Sequence, residues 1–121
     1  MAKAKRSPRT ETAITATTSD RIEGKKIARI LGVVSGEAVL GANLMQDHFV
    51  GVRDVHAGDA ERFAAELNTA REIAMETLKR RAAALGANAV VGIDLDYESI
   101  RGDSPGVMLL LSANGTAVVV K

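Results

Sequence analysis

Apolar and polar positions divide the chain into a short series of patterned stretches. Thr12–Thr18 (TAITATT) is rich in β-branched residues and predicts a short strand. A turn-like stretch, Ser19–Gly24, leads into Lys25–Leu40 (KKIARILGVVSGEAVL), which predicts a longer strand. Plain alternation there puts Ile27, Leu31 and Val33 on one face and Ala28, Ile30 and Val34 on the other. Two apolar faces predict burial on both sides, and Gly32 and Gly36 predict bends or close packing. From about Ala60 to Leu85 the period lengthens. Phe63, Leu67, Ala70, Ala74, Leu78, Ala82 and Leu85 recur three or four apart and predict one apolar stripe on a long helix. Asp59 is its expected N-cap and Gly86 its stop. The early glutamates Glu61, Glu66, Glu72 and Glu76 and the late bases Lys79, Arg80 and Arg81 suit the helix dipole.

Alternation returns in Asn88–Ile100 (NAVVGIDLDYESI), a strand with Val91, Ile93, Leu95 and Tyr97 expected on one side and Gly92, Asp94, Asp96 and Glu98 on the other. Arg101–Gly106 is a turn by composition. Val107–Val120 is the last strand, bent or split at Asn114-Gly115. Gly36–Gly58 mixes helical and alternating spacings and is read as irregular. The order strand, helix, strand, strand is a two-layer β-α-β-β unit of the α+β class: one long helix on an antiparallel sheet. The helix joins two strands that become parallel neighbours of the last strand, which lies between them. One helix covers one face only. The apolar second face therefore predicts a symmetric homo-oligomer, and Thr12–Thr18 is a candidate to add to a neighbour's edge.

Composition narrows the class. The 121 residues fit a single domain, residues 11–121, behind a flexible basic arm, residues 1–10. Aromatic residues are scarce, only Phe49, Phe63 and Tyr97, so the core is aliphatic. There is no cysteine, which removes disulfides, thiolate metal sites and cysteine nucleophiles. Lys3, Lys5, Arg6 and Arg9 charge the arm. The rest of the chain, with 12 basic and 15 acidic residues, is mildly acidic, which argues against nucleic-acid binding. The N-terminal bases have no apolar run behind them and no stretch is long enough to span a bilayer. No membrane partner and a cytoplasmic location are expected.

Val33–Asn43 (VVSGEAVLGAN), Gly51–Val55 (GVRDV), Ala70–Ala74 (AREIA), Ala84–Glu98 (ALGANAVVGIDLDYE) and Gly115–Val118 (GTAV) together resemble the YbjQ-like family of small bacterial proteins, which also carries a heavy-metal-binding label. The resemblance spans about residues 12–120. It implies a subunit similar to that of dodecin, assembled as a homopentamer with extra short strands that hold the ring together. It implies no reaction. His48 and His56 depart from the family's pattern, so a metal site built on them is particular to this chain.

Candidate chemistry falls in two places. Asp94, Asp96 and Glu98 stand on one strand face about 6.5–7 Å apart. They suit a divalent oxygen-seeking cation, or else form a solvated face or pair with Lys25, Lys26 or Arg29. His48 and His56, with Asp47 and Asp54, offer imidazole and carboxylate ligands for Zn²⁺, Cu²⁺ or Ni²⁺, although their spacing matches no metal motif. Arg53-Asp54 is expected as an ion pair, and Glu37 as a buried acid paired with Arg29, Arg53 or Arg71. No catalytic motif is present, so a non-enzymatic binding or scaffold protein is expected. The alternatives are an interface enzyme using Glu37, Asp54 and His48, or dodecin-like storage of a small ligand.

Overall fold

The structure, a computed structural model, describes residues 13–40, 57–101 and 107–121. In chain order they form β1 (Thr15–Ala16), β2 (Ile27–Leu40), α1 (Ala57–Ala84), β3 (Ala89–Arg101) and β4 (Val107–Val120). The strands make one sheet in the order β1-β3-β4-β2. β4 runs antiparallel to both neighbours, so β2 and β3 are parallel with β4 between them, as expected of a helical crossover. With α1 on one face, this is the two-layer α+β subunit.

α1 follows its stripe. Ala74, Leu78 and Ala82 are fully buried, Ala70 nearly so, and Phe63 and Leu67 pack beside them. The helix starts at Ala57, so Asp59 falls within its first turn rather than at the N-cap; an acid is still favoured there. Gly86 takes the left-handed conformation (φ 93°). Its N–H donates to the Ala83 carbonyl (2.9 Å) and the Ala87 N–H donates to that of Ala82 (3.1 Å), the paired bonds of a Schellman stop. Leu85 sits at this turn and leaves the stripe for solvent.

Small residues let the two layers approach. A Cβ on Gly36 would collide with the Ala74 carbonyl and lie 2.8 Å from the Leu78 nitrogen, so α1 rests directly on the β2 backbone. The helix lies mainly over β2, less over β4, and barely reaches β3.

Three sequence expectations change. First, β1 is only two residues long and pairs in parallel with β3 of its own chain. The N–H groups of Thr15 and Thr17 find the carbonyls of Asn88 and Val90 within reach (3.3 and 3.0 Å). Second, a bulge at Gly92-Ile93, with Gly92 left-handed (φ 64°), sets two residues of β3 against one of β4. Val90 and Ile93 therefore share the helix side, whereas Val91 lies with Asp94 on the far side. The grouping of Val91 with Ile93 is corrected by that one-residue slip. Third, irregularities at Ile27/Arg29 and Ile30/Gly32 break the simple alternation of β2. Ile30 and Val33 turn to the far side, while Leu31 and Val34 face the helix. β4 is not split at Asn114-Gly115. Gly115 lies where a Cβ would press on Val90 and Ile93 at the bulge.

Candidate functional site

The sheet face turned away from α1 carries the candidate carboxylates. Pairing sets its side chains in rows across β2, β4 and β3: Val33, Thr116, Val91; Ser35, Asn114, Asp94; Glu37, Ser112, Asp96; Val39, Leu110, Glu98. At one end Ala89, Val91, Val118 and Val120 form a small apolar cluster closed by Ile22 from the strap that follows β1. The centre is polar and acidic. Along β2, Ile30 (71% exposed) and Val33 (80%) stay open to solvent.

Asp94, Asp96 and Glu98 are exposed and stand together on this face, as their alternation predicts. None pairs with Lys25, Lys26 or Arg29. Among the described residues the one ion pair is Arg81 with Glu37 (3.2 Å). Glu37 is thus neither buried nor paired with Arg29 or Arg71, and Arg53 lies outside the described residues. Arg81 reaches from the last turn of α1 around the edge of β2. Its Nη1 also donates to the Ser35 carbonyl (2.8 Å), and the Ser35 hydroxyl donates to Glu37 (2.9 Å). Both partners remain about half exposed, so the pair adds at most about 1 kcal/mol. Position alone did not reveal Arg81 as the partner. It flanks the buried stripe beside Ala82, and only the offset of α1 over β2 brings it to that edge.

On the helix side Tyr97 lies next to α1, and its hydroxyl accepts from the Arg71 Nε (3.4 Å). Between α1 and the outer edge of β2 runs a shallow groove of about 400 Å³ lined by Ala38, Leu40, Ala70 and Ile73, with Glu66 and Thr69 at its polar margin.

His48, Asp54 and His56, with Asp47 and Arg53, lie outside the described residues. Among those described, no three histidine or carboxylate side chains come together as a metal cage. The absence of cysteine removes thiolate ligands for soft ions. The described donors of one chain therefore do not by themselves fit a heavy-metal centre.

A family model described as "Putative heavy-metal-binding" matches residues 14–121. The chain belongs to the YbjQ-like family. Among solved structures, a protein of unknown function of the DUF74 family from Pediococcus pentosaceus is similar. It has 17% sequence identity and a TM-score of 0.61 over 89% of this chain and 98% of that one. At that identity the likeness is one of fold. The YbjQ-like fold is thus shared by sequence pattern and by architecture, and no described helix is long and apolar enough to cross a membrane.

Proposed function

We propose that this YbjQ-like protein is a non-catalytic homo-oligomer, pentameric by family resemblance, that binds divalent cations at its subunit interfaces through carboxylates of the uncovered sheet face. The observation that carries this reading is that face itself. Exposed Ile30 and Val33 share a face with three carboxylates, Asp94, Asp96 and Glu98, that have no ion-pair partner among the described residues. Apolar side chains this open favour burial against protein. Aligned like charges favour a cation between them, and carboxylates without thiolates select hard or borderline ions over soft ones. Since one chain's described residues hold no three-donor cluster, the missing ligands come from a second copy or from residues such as His48 and His56.

Native mass spectrometry of freshly purified protein, followed by calorimetric titration with Ca²⁺, Mg²⁺, Zn²⁺, Cu²⁺ and Ni²⁺, tests both parts. The expected result is an assembly of about five chains that takes up at least one of these ions. Joint replacement of Asp94, Asp96 and Glu98 by Asn, Asn and Gln abolishes that uptake. A particle near 12.7 kDa removes the assembly. An assembled protein that gives no heat with any of the ions removes the cation role.

A further inference from the structure

We propose that the basic N-terminal arm, residues 1–10, docks along the β3 margin of the uncovered sheet face of its own chain and competes there with divalent cations. The contact stands apart from the cation role proposed above; the competition rests on it.

Face and arm are opposite in sign. In the four rows of the far face every charged side chain is an acid: Glu37, Asp94, Asp96 and Glu98. Glu37 has Arg81, and the other three have no ion-pair partner among the described residues. The arm, which lies outside those residues, carries Lys3, Lys5, Arg6 and Arg9 and no acid. The bases that lead into β2 do not serve these carboxylates. Lys26 exchanges backbone bonds with Lys121 (3.0 and 2.9 Å), beside Val120 and about 20 Å along β4 from the row of Asn114 and Asp94.

The chain enters the sheet beside the strand that carries the acids. Ile14 and Ala16 pack on the helix-side core, so alternation turns Thr15 to the far face. Thr15 pairs with Ala89 at the start of β3, and the same strand continues to Asp94, Asp96 and Glu98. β1 runs parallel to β3, so an arm that continued its line would leave the sheet. Ala13 lies in a turn, which frees the arm from that line.

Length agrees. From Ala89, β3 reaches Asp94, Asp96 and Glu98 after about 17, 23 and 30 Å. From Ala13, an extended arm reaches Arg9, Arg6 and Lys3 after at most about 13, 23 and 33 Å. Each base falls within a side chain's length of one acid. An arm on this line follows β3 and leaves the exposed Ile30 and Val33, on β2, to a neighbouring copy.

Exposed ion pairs are individually weak, so the arm exchanges on and off the face. The tether nevertheless keeps its local concentration high, and a cation that binds the carboxylates must displace it.

The chain has no cysteine, so Ala4→Cys gives a single site for a nitroxide label. In the full chain at low salt, with a chelator removing divalent ions, the label is expected to broaden the amide resonances of Asp94, Asp96, Glu98 and Ser112 more than those of α1. The effect is expected to fade near 1 M monovalent salt, and when Asp94, Asp96 and Glu98 are replaced by Asn, Asn and Gln. An unbroadened face overturns the inference, as does broadening that survives those replacements. Broadening carried only from spin-labelled chains to other copies mixed with them also overturns it, because the arm then lies on a neighbour. Replacing Lys3, Lys5, Arg6 and Arg9 together by Gln is expected to tighten Ca²⁺ or Mg²⁺ uptake about two- to three-fold by calorimetry, and unchanged or weaker uptake overturns the competition. A broadened face that takes up no ion refutes the cation role and supports the contact. Ion uptake by a face that shows no broadening refutes the contact alone.

Discussion

Single residues decide how closely the two layers meet. At Gly36 a methyl group has nowhere to go, because its neighbours are backbone atoms of α1 that cannot rotate aside. Gly36→Ala is expected to cost at least about 1–3 kcal/mol, the usual range for overpacking, measured as a lower urea midpoint at unchanged slope. Asn88 works in the opposite sense, by supplying bonds. Its side-chain amide donates to the Val120 carbonyl (2.9 Å) and accepts from the Val120 N–H (2.8 Å), completing the end of β4 as another strand would. Asn88→Ala leaves both backbone groups without those partners and is expected to cost about 1–3 kcal/mol by the same measurement. Gly36 was legible in the sequence as a place of close packing. Asn88 was not, since Gly86-Ala87-Asn88 reads only as a helix stop, and the partner of its amide is 32 residues away.

Elements were legible where one period persists. The stripe of α1 follows from spacing as far as Ala82, and the bounds of β4 were read correctly although Asn114-Gly115 was expected to bend or split it. Gly86 likewise announces the end of α1. Gly86→Ala forces a Cβ into a left-handed conformation and is expected to lower stability by about 1–2 kcal/mol, seen as a lower melting temperature with the helical circular dichroism of the native state retained. β2 and β3 were misread where their repeats are broken. A bulge is a fact about two strands at once: Gly92-Ile93 is extra only relative to Gly115. The carboxylates of β3 were grouped correctly because all three lie beyond that break. Pairing was harder to read, as it depends on which faces and edges the offset of α1 leaves free. Arg81 reaches Glu37 for that reason, ahead of bases closer in sequence.

At the scale of the whole molecule, the sheet is covered unevenly on both sides. Among the described residues, the helix shelters β2 more than β3, and the Ile22 strap shelters one end of the far face. The acidic rows lie in the unsheltered part. Their mutual repulsion is a property of the assembled face and responds to ions. Replacing Asp94, Asp96 and Glu98 by Asn, Asn and Gln is expected to raise the melting temperature at low salt, with the gain fading near 1 M salt, where screening acts within about 3 Å. In the unmodified protein, millimolar Ca²⁺ or Mg²⁺ is expected to raise the melting temperature more than a monovalent salt of equal ionic strength, and the neutralised variant is expected to lose that difference.

The bulge at Gly92-Ile93 also acts as a reading-frame marker for chemistry. Before it, odd-numbered residues of β3 look toward the far face; after it, even-numbered ones do. Removing Gly92 alone would set Val91, Ile93 and Asp94 opposite Thr116, Gly115 and Asn114 in a regular ladder, with Ile93, Leu95 and Tyr97 still on the helix side and Asp94, Asp96 and Glu98 still on the far face. A one-residue gap at the bulge therefore keeps the faces of β3, whereas a gap between Asp94 and Glu98 would turn the residues beyond it to the opposite face.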